Sequence, residues 1–226
     1  MAKKRLSIGL RSGRVRRKGI FITLEGVEGC GKSTQARLLY ENLKAQSYEC
    51  VLTREPGGTR AGEGIRGVLL NMKDASISDL TELFLFEAAR AQIISEVIRP
   101  AIGSGKVVIC DRFSDATVCY QGYAGGVSLK QIELLNNIST GGIKPDLTIL
   151  LDIDTATGLK RARKKGVDRM EEKDLSYHRR VRSGYLKLAK KESGRIRVVR
   201  VLDGIEETFV SVMKEVGRVI RRNKRA

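Results

Sequence analysis

The chain has 226 residues, with 43 Lys or Arg against 26 Asp or Glu, a formal net charge of +17 and 41% hydrophobic residues. This composition excludes a wholly disordered chain, a collagen and a disulfide-dense miniprotein, and the length suits one domain or two small ones. The charge favours polyanionic or phosphorylated partners without choosing between them. Residues 1–19 hold eight basic side chains and no acid, which reads as a solvated arm or, less simply, as a nucleic-acid contact. They contain no long apolar core of the signal-peptide kind, and no apolar stretch is long enough for a membrane span. A faint likeness to an Arg-rich transit peptide is undercut by poor amphipathicity.

Gly19–Leu24 is the first apolar β-rich run, and a glycine-rich turn leads from it into a helical pattern over Lys32–Ala45. Cys50–Leu52 is a second strand candidate. Leu80 to about Ala101 is the longest helical pattern, ending near Pro100. Lys106–Cys110 is a third strand and stops at Asp111. Ser128 is placed to cap a helix from Leu129. Asp146–Asp152 and Arg197–Leu202 complete five strands, and Glu206–Arg221 is a final helix. Apolar strands alternating with helices imply a mostly parallel sheet covered by helices. The expected organisation is one α/β domain over residues 19–222, a basic extension over 1–18 and a short basic tail over 223–226.

Cys30, Cys50, Cys110 and Cys119 form no C-x-x-C pair, and His178 is the only histidine. A structural zinc site is therefore not expected. Free thiols imply a reducing compartment, hence the cytoplasm.

Gly26-Val-Glu-Gly-Cys-Gly-Lys-Ser33 matches the phosphate-binding loop G-x-x-x-x-G-K-[ST], after a strand and opening a helix as that loop requires. Gly26, Gly29 and Gly31 free backbone N–H groups to face an anion at a helix N-terminus. Lys32 is expected on the β- and γ-phosphates, and Ser33 on Mg²⁺. Cys30 reads as a small spacer. A P-loop alone leaves NTPases, nucleotide switches and small-molecule kinases open.

Further motifs follow later strands, where ligands of open parallel sheets bind. Thr53-Arg-Glu-Pro-Gly-Gly-Thr59 is either a ligand turn or an ordinary turn with Arg54 and Glu55 as a surface pair. In Asp111-Arg-Phe113, Asp111 can orient Mg²⁺ and Arg112 can clamp phosphate. Phe86 and Arg90 share a helix face, fit for stacking on a base and donating to its carbonyl, or for core packing beside a solvated arginine. Tyr120-Gln-Gly122 can wall a sugar site. The basic stretch Arg161, Arg163, Lys164, Lys165 and Arg169, around Gly166, suits a lid over about residues 158–172 that supplies cations to a transferring phosphate. Asp168, Arg169 and Glu171 are candidates to brace it by ion pairing. His178 reads as structural or exposed.

Together with Leu85-Phe-Glu-Ala-Ala-Arg90 and Asp168-Arg-Met-Glu171, these motifs resemble the thymidylate kinases over roughly residues 19–215. The resemblance implies a three-layer P-loop kinase fold with five parallel strands in the order 2-3-1-4-5 and helices on both faces. It implies transfer of the ATP γ-phosphoryl group to dTMP with Mg²⁺, and a homodimer. The implied ATP site comprises Gly26, Val27, Glu28, Gly29, Cys30, Gly31, Lys32, Ser33 and Thr34, with Asp203 near the adenine. The implied dTMP site comprises Glu55, Arg66, Phe86, Arg90, Arg112, Thr117, Tyr120 and Gln121. Glu28, Ser33 and Asp111 are the implied metal group. Some relatives carry a catalytic arginine in the P-loop where this chain has Gly29. Catalytic charge is accordingly expected from the lid arginines Arg161, Arg163 and Arg169, beside Lys32, Glu28 and Arg112.

Overall fold

The computed structural model describes residues 19–71, 77–164 and 168–223. The basic extension, the tail's last residues and the Lys165 and Gly166 of the expected lid lie outside the described residues. Five strands, β1 (Ile20–Glu25), β2 (Cys50–Arg54), β3 (Val107–Asp111), β4 (Leu147–Asp152) and β5 (Ile196–Arg200), form one parallel sheet in the order β2-β3-β1-β4-β5. Every residue of β1 is buried, as both faces of the central strand are covered. The edge strands β2 and β5 are partly exposed and carry arginines at Arg54, Arg197 and Arg200, a pattern that discourages pairing with another chain.

Helices α1 (Lys32–Ala45), α2 (Arg60–Asn71) and α3 (Asp79–Ile93) follow the first strands. From α3 the chain continues through a π-helical turn at Ile94–Ile98 into α4 (Arg99–Gly103). Pro100 does not stop this helix as its sequence suggests. It falls just after the π-helical turn, where the regular ladder of helix hydrogen bonds is already interrupted. Helix α5 (Ser114–Thr117) runs into a second π-helical segment at Val118–Ala124, followed by α6 (Leu129–Thr140), α7 (Thr155–Arg163), α8 (Leu175–Lys191) and α9 (Ile205–Asn223). Ser128 does sit at the start of α6, but its side chain makes no capping bond. Asp154 and Asp174 do cap, accepting the amides of Thr157 and Tyr177.

Two apolar cores lie on either side of the sheet. The larger joins Ile22, Leu24, Leu39 and Ile149 to Tyr185 and Val216. The smaller joins Phe21, Ile98, Val108 and Phe113, with Phe21 and Phe113 edge to face at 4.9 Å. All four cysteines are unpaired. No helix among the described residues is long and apolar enough to cross a membrane.

Candidate active site

The parallel sheet brings every expected motif to one edge, because β1, β2, β3 and β5 all hand over to ligand loops at their C-terminal ends. A cleft of roughly 760 Å³ opens there. Of the residues expected in the site, only Gly26, Val27, Arg163 and Arg169 do not border it.

At one end the P-loop wraps the start of α1, with Gly26, Gly29 and Gly31 at φ 142°, 67° and 92°. These values need glycine. A Cβ on Gly29 would also overlap the carbonyl of Gly158 in α7, and a Cβ on Gly158 would overlap the carbonyl of Glu28. The P-loop and α7 are thus in backbone contact. Space as well as conformation excludes a P-loop arginine at position 29. The Lys32 ammonium is buried and donates to the carbonyls of Gly26 and Val27 at 3.1 and 2.9 Å. Reaching a phosphate requires exchanging those bonds. Burial pushes the Cys30 thiol up despite nearby Lys32, so its thiolate is suppressed. The Ser33 hydroxyl donates to Asp111 Oδ2. That pair presents hard oxygen donors beside the phosphate cradle, as Mg²⁺ prefers. Among the described residues no group of three or more His, Cys, Asp or Glu side chains could hold a metal. A Mg²⁺ would therefore take most of its ligands from phosphate and water, its usual habit.

Next to the P-loop, Arg112 Nη2 donates to Glu28 at 2.6 Å, and its Nη1 donates to the Gly26 carbonyl at 3.1 Å. The Tyr120 hydroxyl donates to the same Glu28 oxygen at 2.8 Å, and the Arg112 guanidinium lies 4.9 Å from the Tyr120 ring centre. Desolvation would raise Glu28, but Arg112, Lys32 and the tyrosine bond outweigh it and hold the carboxyl at about 2. Glu28 is therefore an ionised partner that orients Arg112.

Arg90 anchors the other end. It is 1% exposed, not a solvated arginine. Its Nε donates to Glu55 at 2.9 Å, its Nη1 to Glu87 at 2.7 Å and Asn136 at 2.8 Å, and its Nη2 to Thr117 at 2.9 Å. Four of its five N–H donors are thereby committed, leaving one on Nη2 for a ligand. Glu55 is buried with Arg90 rather than paired on the surface with Arg54, whose partner is Glu63. Burial raises Glu55 to about 7 despite Arg90, and its Oε1 has no hydrogen-bond partner among the described residues. Phe86, half-buried, borders the cleft one turn before Arg90. Gln121 is held by Glu82 at 2.8 Å, and Arg66 donates to the Pro56 carbonyl at 2.8 Å.

The lid arginines part company. Arg161 borders the cleft, 4.0 Å from Asp203. Arg163 donates to the Glu171 carbonyl at 3.3 Å. Arg169 turns away to the Leu69 carbonyl at 2.8 Å and to Glu82 at 2.5 Å. Of the residues expected to brace the lid by ion pairing, Arg169 does so through Glu82, whereas Asp168 closes a local turn, its Oδ1 accepting the amides of Met170 and Glu171, both at 2.9 Å. His178 is fully buried, and among the described residues neither ring nitrogen meets a partner at full hydrogen-bond geometry.

Sequence reasoning missed Glu25, Glu82, Glu87 and Tyr185. Glu25 left one signal, a carboxylate ending an otherwise uncharged strand, and Glu87 left another, its spacing of three from Arg90 on one helix; Glu82 and Tyr185 depend on partners far away in sequence.

A sequence model described as thymidylate kinase matches residues 24–212. A thymidylate kinase of Geotalea daltonii is 46% identical over 206 residues, covering 88% of this chain and 96% of its relative. One from Roseiflexus is 42% identical over 214 residues, covering 89% and 93%. The crystal structure of thymidylate kinase from Ehrlichia chaffeensis superposes with a TM-score of 0.72 at 35% identity, covering 88% of this chain and 98% of that one.

Proposed function

This chain belongs to the thymidylate kinase family, and from that premise we propose how its own residues bind and align the two nucleotides. The enzyme transfers the ATP γ-phosphoryl group to dTMP. The observation that carries the site reading is the single cleft, with a phosphate cradle at one end and the Phe86–Arg90 pair at the other. Phe86 stacks on thymine, and the uncommitted Nη2 proton of Arg90 donates to a thymine carbonyl. Tyr120 lies against the deoxyribose, and Arg112 and Arg66 take the dTMP phosphate.

The ATP phosphates lie on the P-loop amides. An oxygen of the dTMP phosphate forms a bond to the γ-phosphorus, while the bond to the β–γ bridging oxygen breaks and ADP leaves. The attacking oxygen is already ionised near neutral pH, so no general base is required. Catalysis is alignment and charge stabilisation. Arg112 orients the acceptor, Lys32 leaves its carbonyl partners to follow the γ-phosphoryl group, and Arg161 adds charge from the lid side. Mg²⁺ held through Ser33 and Asp111 would neutralise charge on the ATP phosphates.

Exposed Leu80 and Phe84 on α3, and exposed Leu134 and Ile138 on α6, which packs against α3, support a homodimer through this helical face.

Phe86→Ala tests the acceptor pocket. It should raise KM for dTMP at least about 10-fold, as expected on losing one base–aromatic stack, and leave KM for ATP unchanged. An unchanged KM for dTMP would remove Phe86 from the base site.

A further inference from the structure

Glu25 ends β1 with no exposed surface, and nothing in the mechanism above uses it. Its carboxyl group reaches the turn that carries Arg112. Oε1 accepts the Phe113 N–H at 2.7 Å, and Oε2 accepts the Tyr185 hydroxyl at 2.6 Å. Arg112 itself has φ 69°, a left-handed conformation that side chains other than glycine and asparagine rarely adopt. Its own N–H donates to the Leu24 carbonyl at 3.0 Å. Two successive amides, those of Arg112 and Phe113, are therefore tied to the last two residues of β1, and the strained residue lies between the ties. The same turn directs the guanidinium back over the P-loop, onto Gly26 and Glu28.

The first tie, to Leu24, extends the sheet's own backbone ladder. The second depends on one side chain. Without it the Phe113 amide, buried against the smaller core, has lost its acceptor. The peptide can then rotate to seek another partner, and Arg112 can relax from its strained conformation. Tyr185, on α8, fixes the second carboxylate oxygen and so the rotamer of Glu25.

We propose that Glu25 is a positioning residue for phosphoryl transfer: by accepting the Phe113 N–H it holds Arg112 in the left-handed conformation that aims its guanidinium at the acceptor phosphate. The proposal rests on Arg112 being the acceptor-phosphate ligand.

A double-mutant cycle separates the two claims, using kcat and KM for each nucleotide in Glu25→Ala, Arg112→Ala, the double variant and Glu25→Gln. Arg112→Ala should lower kcat/KM for dTMP by about 100-fold or more. Glu25→Ala should lower it by roughly 30-fold in the parent while KM for ATP stays within about 3-fold, yet change it less than about 3-fold when Arg112 is already alanine. Glu25→Gln keeps the Oε1 acceptor and should stay within about 5-fold of the parent. A Glu25→Ala loss of equal size in both backgrounds would overturn the positioning role, since a merely structural residue acts whether or not Arg112 is present. A parent-like Arg112→Ala would instead sink the reading of Arg112, independently of Glu25. If Glu25→Ala does not fold, Glu25→Leu, which fills the buried space, carries the same comparison.

Discussion

Arg161, Arg163 and Arg169 share a side chain and a short stretch of sequence, but they face three different ways. Arg161 borders the cleft, Arg163 is bound to the Glu171 carbonyl, and Arg169 braces α2 and α3 through Leu69 and Glu82. In the proposed mechanism the catalytic charge from the lid therefore falls to Arg161. A guanidinium presents paired donors in fixed geometry, which a lysine ammonium cannot copy. Arg161→Lys should slow single-turnover phosphoryl transfer by about 100-fold and leave dTMP binding nearly unchanged. Arg163→Lys should transfer phosphate at close to the parent rate. Equal rates for Arg161→Lys and the parent would remove the lid arginine from the mechanism. The sequence placed these residues in one basic stretch, which is as far as spacing reaches. The partner of Arg169 stands 87 positions away, and no local pattern announces such a pair. Arg90 illustrates the same limit. Its spacing from Phe86 was readable, but its burial among Glu55, Glu87 and Asn136 is a tertiary fact.

Among the elements, β1, the P-loop and α1 were fully legible, since an apolar run, three glycines and a Lys-Ser pair constrain one another. Helix α2 was not, because Gly62, Gly64 and Gly67 weaken its helical pattern. It forms because it packs against α3. Helix α3 also exposes large apolar side chains. Phe84 is 51% exposed and Leu80 52%, four residues apart on one face, beside Leu134 and Ile138 of α6 at 60% and 67%. The proposed homodimer would cover these side chains by symmetric pairing through the same face on both copies. Phe84→Asp should sediment as a monomer at concentrations where the parent is a dimer. A parent that is itself monomeric throughout would refute the interface.

For the whole molecule, the buried acids make stability depend on pH in a calculable direction. Burial, with Asp115 nearby, raises Glu25 from 4.5 to about 8 against the opposing pull of Arg112, and burial raises Glu55 to about 7. Above 4.5 the folded state then binds protons that the unfolded chain has released, so stability falls as pH rises towards 8. Glu28 acts oppositely, and its contribution is lost as pH falls from 4.5 through about 2. Glu25→Gln should therefore lose less melting temperature than the parent between pH 5 and pH 8, as followed by thermal scans. An equal or steeper decline would show that Glu25 does not titrate in that window. Topology at this scale was well readable, because five apolar runs with intervening helices leave few parallel arrangements, and the family resemblance selected the observed order.

In the proposed mechanism the Phe86–Arg90 end of the cleft admits thymidylate to a phosphate cradle loaded with ATP. It is tested most directly by ATP-dependent phosphorylation of dTMP, dUMP, dCMP, dGMP, dAMP and UMP, each taken to kcat/KM. The site predicts the highest value for dTMP, with deoxyribose preferred to ribose because Tyr120 crowds the sugar. A clear preference for a purine monophosphate, or for UMP over dUMP, would contradict it.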